Sequence, residues 1–157
     1  MRLALFEPDI PQNLGAFIRL SACLKVPLDV IEPCGFPLDD KRIRRAAMDY
    51  YDLASLTRHA SWAAFRHAHE LERPAGRLVL LTTKGASDFP AVAFQPDDIL
   101  LFGRESAGVP DEVHQVADLR LRIPLQRDAR SLNVALAAAM VVSEALRQTS
   151  GFDALSD

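Results

Sequence analysis

The sequence predicts an α/β domain with a mostly parallel sheet and helices on both faces. Short β-rich runs alternate with helical patterns along the chain, the order that builds βαβ units. Several of those runs are apolar without interruption, as strands covered on both sides must be. The 157 residues are 49% hydrophobic and 25% charged, the makeup of a single domain over 1–157. A chain of that length buries about 68 to 70% of its unfolded surface and needs neither disulfides nor a structural metal.

The first strand is Arg2 to Phe6. Asn13 is available to cap a helix from Leu14 to Lys25, where Leu14, Phe17, Ile18 and Leu24 recur at helical spacing. Leu28 to Glu32 reads as the second strand. Further on, Trp62, Phe65 and Ala68 share one stripe of a helix over Ser61 to Leu71. Strands follow at Arg77 to Thr82, Asp98 to Phe102 and Leu119 to Ile123. The last helix runs from Leu132 to about Gln148, with Ser131 as its cap and Gly151 just past its end. Its start is apolar nearly all round, so it is covered on more than one side, by its own sheet or by a second subunit. The loops between elements are too short to separate domains.

Composition removes several function classes. Glu7-Pro8 arrives too early for the apolar core of a signal peptide. The longest apolar stretch, Leu132 to Val142, is broken only by Asn133 and falls far below the roughly 20 residues that span a bilayer. No membrane is expected as a partner. Cys23 and Cys34 form no C-x-x-C arrangement and have no paired histidines nearby, which suggests reduced thiols in a cytoplasmic protein. His67 and His69, two apart on a helix, face different ways and read as solvated, so no metal is expected. The net charge of −3 gives no global attraction to nucleic acid, and any such binding must come from local patches.

No two glycines are spaced G-x-G, so the dinucleotide fingerprint is missing. Gly103 to Gly108 has the internal spacing of a phosphate loop, but Val109-Pro110 stand where Lys and a hydroxyl residue are required. A serine-hydrolase elbow is also lacking. Three segments remain, each joining the end of a predicted strand to a turn, where open α/β sheets place ligands. They are Glu7 to Gly15, followed by Arg19 one helical turn on; Leu101 to Pro110; and Ile123-Pro124-Leu125 with a loop ending Arg130-Ser131-Leu132-Asn133-Val134-Ala135.

Written as N-x-G-x-x-x-R, F-G-x-E-x-x-G-V-P and I-P-L followed by S-L-N-V-A, these segments resemble, in order, the three motifs of the SPOUT superfamily of RNA 2′-O-methyltransferases. Ile31-Glu32-Pro33, Gly35-Phe36, Asp39-Asp40-Lys41-Arg42, Asp49-Tyr50, Thr57-Arg58-His59 and Thr82-Thr83-Lys84-Gly85 are similar to the branch that methylates the tRNA wobble nucleotide. The resemblance therefore extends over essentially the whole chain. It implies a C-terminal deep trefoil knot, an exception to general topology rules. It also implies an obligate homodimer and S-adenosylmethionine bound in the knot with its adenine between loop backbones. The implied substrate is tRNA, held by its anticodon loop, with leucine isoacceptors expected. By position, the implied cofactor contacts are Leu81, Gly103, Ile123 and Ser131, with Thr82 and Leu132 as neighbours. Arg104 stands at a position where the family varies.

Residue chemistry fits this reading while leaving simpler ones open. Gly103 and Gly108 suit places where backbone must approach an adenosine without a Cβ, or are turn glycines. Leu81 and Ile123 would each be ordinary core residues if taken alone. Arg19 alone could be a snorkelling surface arginine; the motif points to a role at the reacting centre. A guanidinium with a pKa above about 12 is a poor base, so Arg19 is expected to pin phosphate and stabilise a developing alkoxide. Asn13, by itself, reads as an N-cap. Glu105 could balance Arg19 across the site, and Asn133 could order the loop before the last helix. Two basic segments, Lys41-Arg42-Ile43-Arg44-Arg45 and the group Arg120, Arg122, Arg127 and Arg130, hold eight of 18 cationic residues and are expected to meet RNA phosphates. Rival readings are a methyltransferase for another tRNA or rRNA ribose, and an RNA-binding module without catalysis.

Overall fold

The structure is a computed structural model that describes residues 1–72 and 76–155. Among the described residues, seven strands form one sheet: β1 (Arg2–Phe6), β2 (Leu28–Ile31), β3 (Leu56–His59), β4 (Leu78–Leu81), β5 (Ser87–Asp88), β6 (Ile99–Phe102) and β7 (Leu119–Arg122). Their spatial order is β3-β2-β1-β6-β4-β7-β5, and every neighbouring pair is parallel. Among the described residues, four α-helices lie between strands, α1 (Pro11–Leu24), α2 (Lys41–Ala47), α3 (Trp62–Glu72) and α4 (Asp111–Val116), and α5 (Val134–Gln148) follows β7.

The uninterrupted apolar strands behave as parallel strands do when covered on both faces: every residue of β2, β4 and β6 is buried. Because side chains alternate across a strand, the core divides into two clusters. Leu3, Leu5, Val30, Val79, Leu100 and Leu121 face α1, α2 and α5, meeting Phe17, Ile18, Ile43, Val141 and Val142. On the other face Ala4, Phe6, Ile31, Leu80 and Leu101 meet Phe65 of α3 and Val113 of α4. Charged groups pin two strand pairs at their edges. Arg77 donates twice to the fully buried Asp98, at 2.8 Å each, and Asp29 accepts from Arg2 at 2.6 and 2.8 Å while its Oδ1 lies 2.8 Å from His59 Nε2.

All five strands expected from the sequence are present, with ends shifted by a residue in four of them. Two expected caps are not the caps observed. Helix α1 starts at Pro11 with Ile10 at the N-cap, because proline's missing N–H and fixed φ suit the first helical position; Asn13 lies inside the helix. Helix α5 is capped by Asn133, whose Oδ1 accepts from the Ala135 and Leu136 amides, and not by Ser131. His69 departs from a solvated histidine, since its ring is half-buried and stacks on Phe65 with centroids 6.2 Å apart; His67 is exposed. Both cysteines are free, and burial pushes the Cys34 thiol up to about 11, which keeps it unreactive. No described helix is long and apolar enough to cross a membrane. The apolar face of α5 is only partly covered: Leu136 is 61% and Met140 45% exposed, one helical turn apart and continuing from Leu132.

Candidate active site

A cavity of about 560 Å³ opens at the C-terminal ends of β4, β6 and β7 and at the start of α5. Strands that run parallel and side by side deliver their loops to one edge of the sheet, which is how residues far apart in sequence come to share this space. All seven residues expected to contact a cofactor line it: Leu81, Thr82, Gly103, Gly108, Ile123, Ser131 and Leu132. Asn13, Glu105 and Arg130 line it as well.

One wall is the loop after β6. It closes on itself through paired backbone bonds, Arg104 N–H to Gly108 O at 3.0 Å and Gly108 N–H to Arg104 O at 2.8 Å. Closure depends on Gly103, where a Cβ would come within 2.6 Å of the Gly108 carbonyl carbon. Gly108 has φ +69, the left-handed region that glycine enters without cost, and a Cβ there would meet nothing. The two glycines thus serve the loop in different ways, one by close approach and one by backbone conformation. Arg104 forms an ion pair with Glu7 beside the Phe6 ring, which ties the wall to the end of β1.

The three motif segments are joined by a continuous chain of hydrogen bonds. Asn13 is 7% exposed. Its Nδ2 donates to Glu105 Oε1 at 2.9 Å, and its Oδ1 accepts from Asn133 Nδ2 at 3.0 Å. Asn133 in turn caps α5. Glu105 Oε2 accepts from the Asp9 amide at 2.9 Å, while Asp9 Oδ1 accepts from the Glu105 amide at 3.2 Å and its Oδ2 from the Ser106 amide and hydroxyl. Two loops therefore clasp each other reciprocally, carboxylate to amide in both directions. Burial, and then the neighbouring Asp9 carboxyl, raise the Glu105 carboxyl above the ordinary carboxylate range. Hydrogen bonding to Glu105 and then to Ser106 lowers that of Asp9. Asp9 escaped the sequence reading, which had no signal to separate it from the neighbouring loop residues.

Arg19 is not in this cavity. The motif side of α1 carrying Gly15 packs against α2, where a Cβ at Gly15 would lie 2.5 Å from Ala46 Cβ. Arg19 follows on that side, exposed, with Nη1 3.2 Å from Met48 Sδ and its guanidinium 5.4 Å from the Tyr50 ring centre. Glu105 therefore does not balance Arg19 within one chain; its partners are Asn13 and Asp9. The basic segments also separate. Lys41, Arg42, Arg44 and Arg45 lie exposed on α2, with Arg42 held by its N-cap Asp40 at 2.6 Å. Arg127 and Arg130 are exposed on the loop before α5, Arg120 is exposed on β7, and Arg122 pairs with Asp88 at 2.6 Å.

Residues 1–143 match the model of the SpoU rRNA Methylase family. A protein of Beijerinckia indica named tRNA (cytidine(34)-2′-O)-methyltransferase is 56% identical over 99% of this chain and 96% of its own length. An Escherichia coli K12 protein of the same name is 44% identical over 94% of this chain and 93% of its own. Among solved structures, one described as giving insight into the 2-OH methylation of C/U34 on tRNA has a TM-score of 0.90 at 38% identity, covering 96% of each chain. Another, the SpoU methyltransferase AviRb of Streptomyces viridochromogenes in complex with AdoMet, has a TM-score of 0.87 at 27% identity over 94% of this chain and 60% of its own. The convergence of three separated motifs on one sheet edge thus has its explanation in descent, for the chain belongs to the SpoU rRNA methylase family.

Proposed function

We propose that this protein transfers a methyl group from S-adenosylmethionine to the ribose 2′-oxygen of nucleotide 34, cytidine or uridine, in tRNA. The observation that carries the reading is the meeting of all three motif segments around one cavity, in a chain whose relatives bearing that activity in their names match over nearly their full length.

The cavity suits the cofactor. Its volume of about 560 Å³ falls within the ~300–1,000 Å³ of small-molecule sites. Leu81, Ile123 and Leu132 offer apolar walls to an adenine, while Thr82, Ser131 and the backbone of the Gly103–Gly108 loop offer polar contacts. When bound, the cofactor supplies a methyl group on an electrophilic sulfonium. The chain's own contribution is position and charge. Asn13 and Glu105 hold the loop and the start of α5 in fixed relation. Arg19 grips phosphate and stabilises negative charge developing on the 2′-oxygen, a task suited to a group that keeps its proton.

Because Arg19 lies outside its own chain's cavity, the Arg19 serving each cavity comes from a second copy, and the working unit is a homodimer. The exposed stripe of Leu132, Leu136 and Met140 is the apolar face which that copy covers. Lys41, Arg42, Arg44, Arg45, Arg127 and Arg130 hold the phosphates of the anticodon loop, leucine isoacceptors included. In this reading the segment from β7 to α5 threads through the preceding loop as a trefoil knot. The reaction needs no metal, and the protein works in the cytoplasm. The test is incubation with methyl-labelled S-adenosylmethionine and unmodified tRNA, with mass-spectrometric mapping of the product. A single labelled ribose at nucleotide 34 is expected; label at another nucleotide, or none, overturns the proposal.

A further inference from the structure

We propose that a second cavity, between α1, α2 and β3, takes up the base of a nucleotide adjoining the methylated one. The inference rests on RNA being the substrate. The cavity holds about 220 Å³, less than the ~300 Å³ from which sites enclose whole small molecules. It therefore fits a protruding group and not a complete ligand. Ile18, Val30 and Ile43 form its floor, each at 0–1% exposure. Its mouth is formed by exposed Asp39, Arg44 and Arg58 and half-buried Tyr51. A mere packing gap would be enclosed by apolar side chains; this one is open and rimmed with charge.

An apolar slot with a ring and two guanidinium groups at its mouth matches a nucleobase attached to a phosphate. The Arg44 guanidinium lies 4.6 Å from the Tyr51 ring centre. Both planes are of the kind on which unstacked RNA bases rest. Arg58, steadied by Glu32 at 2.9 Å, adds positive charge for the phosphate, and the basic residues of α2 continue that field. Asp39, as a carboxylate, only accepts hydrogen bonds. It favours a base that turns an N–H donor towards it. Position narrows the occupant further. Tyr51 follows Tyr50, whose ring sits 5.4 Å from the Arg19 guanidinium. Ile18 of the floor directly precedes Arg19, so with Arg19 at the reacting ribose the slot takes the base of a nucleotide beside the reacting one.

The experiment uses the full-length enzyme and an anticodon stem-loop RNA with 2-aminopurine, or an abasic nucleotide, immediately 5′ or 3′ of the target. At one of the two positions, binding should change the 2-aminopurine fluorescence, and the abasic nucleotide should raise KM about tenfold, the scale of one lost base stack. Tyr51→Ala should raise KM similarly on intact RNA yet add nothing on that abasic RNA, as two cuts of one contact must. Tyr51→Phe should restore the wild-type KM, and cofactor Kd should stay constant throughout. Unchanged fluorescence at both positions, or an equal Tyr51→Ala penalty on intact and abasic RNA, overturns the pocket. The target is the nucleotide at which mass spectrometry maps the label, so an enzyme that methylates another nucleotide refutes the wobble assignment, while 2-aminopurine placed beside that mapped nucleotide still tests the pocket.

Discussion

Asn13 uses both ends of its amide, donating to Glu105 and accepting from Asn133, in a setting almost closed to water. Removing it leaves a carboxylate oxygen and an amide hydrogen without their partner. Asn13→Ala should therefore cost about 1–3 kcal/mol of stability in a denaturant melt and lower methyl transfer more than the melt alone accounts for. Its role was hidden in the sequence because asparagine near a helix start is most simply a cap; the signal that argued otherwise was Pro11, which marks the first helical position two residues earlier. Glu105 carries a pH signature. Its carboxyl is raised by burial and by Asp9, so its contribution to stability is full below the ordinary value of 4.5 and is lost as pH rises through the raised value. For Asp9 the sign is opposite, with stability present above 3.8 and lost as pH falls. Glu105→Gln cannot lose a proton. Melting temperatures of the two proteins, followed upward from pH ~4.5, should shift in the variant's favour, and parallel curves would show that Glu105 does not titrate there.

At the scale of elements, the loop after β6 separates two uses of glycine that look alike in sequence. Gly103→Ala drives a Cβ into the Gly108 carbonyl and should open the wall of the cavity, weakening cofactor Kd by about tenfold or more in calorimetry. Gly108→Ala meets no atom and only strains the backbone, at about 1–2 kcal/mol, so its cofactor Kd should change far less. Equal losses would mean that the loop's closure is not what the cofactor reads. Strands were legible wherever burial on both faces forced an unbroken apolar run, as in Leu78–Leu81 and Ile99–Phe102. Strand β3 was not: at the sheet edge its Leu-Thr-Arg-His carries no such run. Helices α2 and α4, seven and six residues long, are too short for a period to stand out. In α2 the charges masked the two buried residues, Ile43 and Ala47. The meeting of the seven expected positions around one cavity was legible in the sequence because a parallel sheet carries the loops after its strands to one edge.

For the whole molecule, the position of Arg19 outside its own chain's cavity makes the proposed two-subunit site testable. Two variants, Arg19→Ala and Gly103→Ala, assayed at a cofactor concentration too low to fill the Gly103→Ala cavity, should complement each other when their subunits are allowed to exchange. Half of the dimers become mixed, and each mixed dimer carries one intact cavity facing one intact Arg19, so activity should recover to roughly one quarter of wild type. No recovery, with exchange verified by mass spectrometry, would place both contributions in a single subunit. Leu136→Glu should dissociate the dimer in sedimentation and abolish activity without unfolding the chain, because the side chain it replaces is 61% exposed.

The hydrogen-bond chain from Asp9 through Glu105, Asn13 and Asn133 ends on the Leu136 amide, and the Leu136 side chain belongs to the stripe on α5. In the proposed homodimer, a ligand in the cavity lies against Glu105, Asn13 and Asn133 of this linkage and the second subunit lies against its Leu136 end. Whatever free energy a ligand in the cavity contributes to subunit affinity, dimerisation must return in equal measure to ligand affinity. If that coupling is positive, the proposed dimer binds its cofactor less tightly on dilution, and the concentration of the protein itself becomes a control on its activity.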